Sequence, residues 1–176
     1  YTSTSNGTSG SWSLMHTLLD SGSADPGKIR SMVYTNNTLL VGIQNTGEFF
    51  TASTSDLTDW STETTLNSHA GTCFDNQSRI AAAAGRVVVA SGQHKSTFDI
   101  NGKSVTMDEN GVDFSGDNDA HGNVFGIATD GSTWVACCST GDMFYSTNAG
   151  DTFIDSTTNV GNEDMMHIAA DVYLPL

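Results

Sequence analysis

The chain has 176 residues and carries 20 acidic against 6 basic side chains, a formal net charge of −14, which repels nucleic-acid phosphates and anionic lipid headgroups and argues against both as partners. Hydrophobic residues make up 37% of it, in short runs such as 39–41, 80–84 and 87–90, far from the ~20 consecutive apolar residues of a membrane helix, so no membrane insertion is expected. At this length one sizeable core is the default, since a domain of about 150 residues buries roughly 70% of its unfolded surface.

The chain opens at Tyr1 without an initiator Met or a basic-then-apolar leader, and reads as processed or as part of a longer chain. Residues 1–20 form a terminal half-unit, in which YTSTSNGTSGSW has the look of a closing hairpin that ends in Trp12. The first whole unit, 29–66, runs through an apolar strand (IRSMVY), a polar turn, a second strand (TLLVGIQ), a Gly turn, a third strand (EFFTAS) and a turn ending in Trp60. The second, 79–118, repeats this with IAAAA, a Gly85 turn and VVVASG, then a longer polar segment ending at Phe114. The third, 123–158, reads VFGIAT, an Asp130-Gly131 turn, TWVACC, a Gly141-Asp142 turn, MFYS, and an ending at Phe153. Residues 164–176, with MMHIAADVYLPL, resemble the opening strands of a further unit.

Short strands punctuated by Asp-Gly, Asn-Asn and Gly turns are hairpin chemistry, because these residues tolerate the positive φ that tight loops require. No stretch shows helical periodicity over ten or more residues. The expected fold is therefore all-β, a β-propeller built from four-stranded antiparallel meander blades, with one blade split between the termini. Such a split removes two exposed sheet edges. Whether the ring closes within these residues or within a longer chain stays open.

Residues 146–153 (STNAGDTF) closely resemble the Asp-box, S-x-D-x-G-x-T-W, of the BNR repeats in sialidase-like propellers, with Asn148 for the Asp and Phe153 for the Trp. Ser146, Gly150 and Thr152 match the pattern. Residues 53–60 (STSDLTDW) keep Ser53 and Trp60, residues 107–114 (MDENGVDF) keep Gly111 and Phe114, and the first copy, 3–12, ends in Trp12. The resemblance implies a turn device: the Asp or Asn accepts backbone N–H bonds, the Gly takes the strained position, and the aromatic packs between blades. The phrasing around 131–136 and 145–148 is also similar to propeller repeats in structural and tail-fibre proteins of tailed phages.

A sialidase requires an arginine triad, a Tyr/Glu nucleophile and an Asp acid, whereas this chain has three arginines in all, Arg30, Arg79 and Arg86. Arg30 and Arg79 fall at like positions in consecutive units and could share one rim, but Arg86, read as lying in the turn just after, should point elsewhere. No Gly-x-Ser-x-Gly elbow is present, and the five histidines lie singly without metal-ligand spacing. The acidic loop 113–123 (DFSGDNDAHGN) sets Asp113, Asp117 and Asp119 at alternating positions, a candidate oxygen-ligand set for calcium, although it lacks the closing Glu of an EF-hand loop. Asn6, Asn36 and Asn76 head N-glycosylation sequons. Cys137 and Cys138, neighbours on a strand, point to opposite faces, so at most one can meet Cys73, and buried thiols are the expectation.

Taken together, the expectation is a non-enzymatic structural or adhesion module, virion-borne or extracellular, that contacts other virion or surface proteins or a host glycan. Closed symmetry is usual for such assemblies, so a homo-oligomer fits it. The alternative is a carbohydrate-active propeller, lectin-like or hydrolytic, with Phe49, Phe50, Trp134 and Tyr145 as aromatics to stack on sugars. Aromatics on short strands are more often core, so Phe49, Phe50, Trp134 and Tyr145 are all read first as core candidates.

Overall fold

The computed structural model describes residues 2–3, 8–9, 12–14, 29–43, 48–61, 64–65, 79–91, 93–114 and 123–156. These are all-β: no helix occurs among them, and every strand pairing is antiparallel. A short N-terminal pair, β1 (Thr2–Ser3) and β2 (Trp12–Ser13), precedes three four-stranded sheets. The expected opening strands of 164–176 lie outside the described residues.

The first sheet holds β3 (Ile29–Thr35), β4 (Thr38–Ile43), β5 (Glu48–Ser53) and β6 (Thr64–Thr65). The second holds β7 (Arg79–Ala83), β8 (Arg86–Ser91), β9 (His94–Asn101) and β10 (Ser104–Asp113). The third holds β11 (Val124–Thr129), β12 (Trp134–Cys138), β13 (Met143–Ser146) and β14 (Ile154–Asp155). Within each sheet the strands follow chain order, a meander, and no sheet closes on itself.

Two-residue turns set the register of the first hairpins. Asn36 and Asn37 both have positive φ (47° and 55°), as do Ala84 and Gly85 (50° and 91°), which matches the right-handed twist of the flanking strands. The two tips also touch. The Gly85 N–H donates to Thr35 Oγ1 at 2.8 Å, and Asn36 Nδ2 donates to Ile100 O at 3.2 Å.

The sheets stack face to face in chain order, and alternation along each strand decides which side chain meets which neighbour. Leu40 and Phe49 of the first sheet pack on Val87, Val89, Phe98 and Ile100 of the second, with the Phe49 and Phe98 rings stacked at 5.0 Å. Val88 and Ala90, on the opposite face of β8, pack with Trp134, Ala136 and Phe144 of the third. This explains why β8 reads as a continuous apolar run: the middle sheet is covered on both sides. Neighbouring sheets also approach along their first strands, β7 lying against both β3 and β11.

One expectation is corrected. Residues 107–114 are not a turn, since residues 107–113 continue β10, a ten-residue strand paired with β9. Two bulges, between Met107 and Glu109 and between Asn110 and Val112, absorb the extra residues. Gly111 therefore occupies a bulge, a usual place for glycine within a strand, and Phe114 follows the strand end.

Candidate functional site

The resemblance-bearing octamer, 146–153, folds as a side-chain-locked turn between β13 and β14. Ser146 Oγ accepts the N–H of Gly150 at 3.0 Å and of Asn148 at 3.3 Å, and donates to Asn148 Oδ1 at 2.8 Å. Asn148 Oδ1 also accepts the Thr152 N–H at 3.2 Å, while its Nδ2 donates to Thr152 Oγ1 at 2.9 Å. Ala149 and Gly150 take positive φ, 60° and 82°. Serine rather than asparagine thus satisfies most of the backbone, and Asn148 cross-links the two ends of the turn. Phe153 then inserts against Phe114, with ring centroids 4.2 Å apart, and so joins the third sheet to the end of the second.

The 53–60 turn repeats part of this. Ser53 Oγ accepts the Ser55 N–H at 3.3 Å and bonds Ser55 Oγ at 2.8 Å, the same contacts Ser146 makes with Asn148. With Leu57 in place of glycine, Asp56 does the remaining work, its Oδ1 accepting from the Thr58 N–H at 3.0 Å and hydroxyl at 2.6 Å. The Thr58 hydroxyl bond, then its N–H bond, hold the Asp56 carboxyl below the usual carboxylate range. Trp60 bridges to Ala52, donates its indole N–H to Leu57 O at 2.7 Å and packs on Val41, Ile43 and Phe50.

Two cations of the second sheet grip the 146–153 turn. Arg86, which opens β8 rather than lying in the turn before it, donates Nε–H to Ala149 O at 3.1 Å and pairs with Asp108 (2.7 Å), Asp99 (3.4 Å) and Asp151. Burial works against its charge, but Asp108, Asp151 and Asp99 outweigh burial and raise its pKa. The hydrogen bond from Arg86, and then its charge, hold Asp108 below the ordinary carboxylate value. Lys95 on β9 is only 2% exposed and donates to Gly150 O at 3.2 Å, Asp151 O at 2.5 Å and the Glu109 carboxylate. Burying an ammonium is costly unless it is paired and fully hydrogen-bonded, and Lys95 meets both conditions with two carbonyls and a carboxylate.

Arg86, Asp99, Thr106, Met107, Asp108, Ala149 and Asp151 line an open cleft of about 400 Å³ between the second and third sheets. Its one guanidinium is already bonded to three carboxylates and a carbonyl, so the cleft braces the two sheets. The octamer's resemblance located one half of this brace. Arg86 and Lys95 were missed, because a buried lysine flanked by polar residues (HKST) reads as surface in a single sequence.

The remaining candidates are less informative. Trp12 lies on β2 and Asp113 ends β10, but their side chains, together with Asp117 and Asp119, lie outside what is described. Among the described residues no group of three or more His, Cys, Asp or Glu is arranged to hold a metal. Phe49, Phe50 and Trp134 are buried core side chains, leaving Tyr145 at the surface among the aromatics considered for sugar stacking. Cys137 and Cys138 are both buried thiols, and burial pushes the Cys138 thiol up to about 12. Arg79 donates Nε–H to Phe125 O. Among the described residues no helix is long and apolar enough to cross a membrane. The sequence matches no family model and no curated protein.

Proposed function

We propose that the chain is an Asp-box β-propeller domain or segment that serves as a non-enzymatic attachment module, virion-borne or extracellular, presenting its loops to a protein neighbour or a host glycan. Face-to-face stacking of meander sheets in chain order supports the propeller, as does the approach of their first strands, since blades meet most closely around a central axis. The 146–153 turn supports the Asp-box assignment by its internal bonding. Its main-chain oxygens are held by the preceding sheet, a bracing role.

The observation that carries the non-enzymatic reading is the commitment of Arg86, among the arginines whose side chains are described. An enzyme acting on acidic sugars needs guanidinium groups free for the substrate carboxylate. Here Arg86 is bonded to Asp99, Asp108 and Asp151, and Arg79 donates to Phe125 O. The test is turnover of fluorogenic glycosides, a sialoside among them, at micromolar protein. No release above the buffer blank is expected. Turnover that disappears in Arg79→Ala or Arg86→Ala while the protein stays folded would overturn the reading, and a glycan array then separates a glycan partner from a protein one.

A further inference from the structure

Three hairpin tips carry an Asn or Asp whose side chain stands next to the following main-chain nitrogen, and they differ in how that side chain is held. Between β3 and β4, Asn36 gives its amide to Ile100 O at 3.2 Å. Between β11 and β12, Asp130 Oδ1 accepts the Ser132 N–H, the Ser132 hydroxyl and the Thr133 N–H at 2.8 to 2.9 Å, and the Gly131 N–H donates to Thr129 Oγ1 at 3.0 Å.

The β9–β10 tip has none of these restraints. Asn101 pairs with Ser104, which leaves Gly102 and Lys103 as a two-residue loop. Asn101 is exposed, and among the described residues neither its carboxamide nor the Gly102 N–H has a hydrogen-bond partner. Gly102 has φ of 61°, with open space where a Cβ would stand. An electrophilic amide carbon, an unbonded nitrogen and room to move thus meet at one exposed turn. The same dipeptide recurs at Asn110-Gly111 inside β10, where Asn110 pairs with Ser96 and Val112 with Lys95. Ring closure there would turn the peptide out of a strand that is paired on both sides. A third copy, Asn6-Gly7, lies outside the described residues.

We propose that Asn101 is a site of spontaneous covalent modification, with water as its only co-reactant. The Gly102 nitrogen attacks Cγ of Asn101. The N–Cγ bond forms, the Cγ–Nδ2 bond breaks, and Nδ2 leaves as ammonia with the proton that Gly102 gives up. Water then opens the cyclic imide, its hydroxyl going to one carbonyl carbon and its proton to the Gly102 nitrogen. Opening at Cγ leaves aspartate at position 101. Opening at the main-chain carbonyl leaves isoaspartate, which routes the chain through the side-chain methylene and adds one carbon to the backbone. Asparagine is among the thermally labile residues, and this turn lacks the bonds that protect the other two tips.

The location gives the change a consequence. The Gly102 carbonyl accepts the Thr38 hydroxyl at 3.0 Å, the Lys103 carbonyl accepts the Thr51 hydroxyl at 3.2 Å, and Lys103 Nζ pairs with Asp59 at 2.7 Å. This tip therefore fastens the second sheet to the first. An extra backbone carbon just ahead of Gly102 displaces both carbonyls from threonines that are fully buried, and buried polar groups left without partners weaken the contact. The inference rests on the hairpin geometry and not on the proposed function.

The test holds the intact chain folded at mildly alkaline pH, with a parallel sample in denaturant. Both are sampled over days, digested and mapped by mass spectrometry, and isoaspartate is read by its specific enzymatic methylation. In denaturant, where both dipeptides are free, positions 101 and 110 should convert at comparable rates. In the folded chain position 101 should convert at least about tenfold faster than 110, since breaking two strand pairs raises the barrier at the latter. No conversion at 101 in the time that converts it in denaturant overturns the proposal, and so do equal folded-state rates at the two positions. The isoaspartyl protein, separated by its added negative charge, should melt below the fresh protein, whereas Asn101→Asp, which adds the charge without the carbon, should melt with it. An isoaspartyl form that melts with the fresh protein overturns the loosening of the sheet contact.

Discussion

A Cβ placed on Gly150 would stand 2.4 Å from Cγ2 of Val88, a side chain buried between the second and third sheets. The same glycine has φ of 82° and donates its N–H to Ser146 Oγ. Gly150→Ala therefore combines a left-handed conformation, costing an alanine about 1–2 kcal/mol, with overpacking against a β-branched neighbour, costing about 1–3 kcal/mol. A loss of ~2–5 kcal/mol in urea unfolding is expected. A variant within 0.5 kcal/mol of wild type would mean that the turn does not dock on Val88.

Ala84 shows the reverse situation. It is exposed at the β7–β8 tip with φ of 50°, a conformation that penalises alanine and not glycine. Ala84→Gly should stabilise the chain by about 0.5–1 kcal/mol, less than the full conformational penalty because glycine also loosens the unfolded chain. A rise in the urea midpoint at constant slope checks this.

Lys95 should behave as a structural cation. Lys95→Met keeps the apolar stem but leaves Gly150 O, Asp151 O and the Glu109 carboxylate without their donor, and breaking a buried pair in this way costs about 3–5 kcal/mol. Glu109 is one-third exposed, so solvent recovers part of that, and ~2–3 kcal/mol is the expected loss. A double-mutant cycle with Glu109→Gln should return a coupling of at least ~0.5 kcal/mol, whereas additive effects would assign Lys95 to the carbonyls alone.

Acid should loosen the turns before it unfolds the core. Asp108, Asp56 and Asp130 all have folded pKa values below the ordinary 3.8, through bonds from Arg86, from Thr58, and from the Thr133 and Ser132 N–H groups respectively. Groups of this sign contribute stability that is complete above the unfolded value and is lost as pH falls through the lowered folded value. Stability from these carboxyls should therefore be level above about pH 5 and decline below about pH 4. Asp108→Asn should flatten that decline in a pH series of melting curves. An unchanged slope would place the acid sensitivity elsewhere.

The thiols of β12 should be inert while the fold persists. Cys138 is raised to about 12 and Cys137 is raised as well, in each case chiefly by burial, and thiolate is the reactive form. A thiol reagent at pH 8 should modify neither within the time it modifies both in denaturant. Rapid native labelling of Cys138 would show that β12 opens.

Strands were legible wherever turn chemistry punctuates them. Asn36-Asn37, Gly85 and Asp130-Gly131 announce hairpins because few other residues accept such backbone geometry, and the short apolar runs between them are too brief for helices. The β9–β10 hairpin was illegible because its polar residues carry no period-two contrast. Lys95, Thr97, Asp108 and Glu109 form strand through pairing across two bulges and through the cations of neighbouring strands.

The sequence by itself determined an all-β chain of repeated antiparallel meanders and the internally bonded turn at 146–153. Both are local properties, of φ tolerance and of side chains bonding backbone within a few residues. Only the tertiary structure decided that Arg86 and Lys95 hold that turn from another sheet, that Gly111 lies in a bulge, and that one end face of the stack leaves Tyr145 and Ile154 exposed. The first depends on contacts between residues 55 to 65 positions apart, and the others on strand register and on which face of a sheet is covered; none of these is encoded in a local pattern.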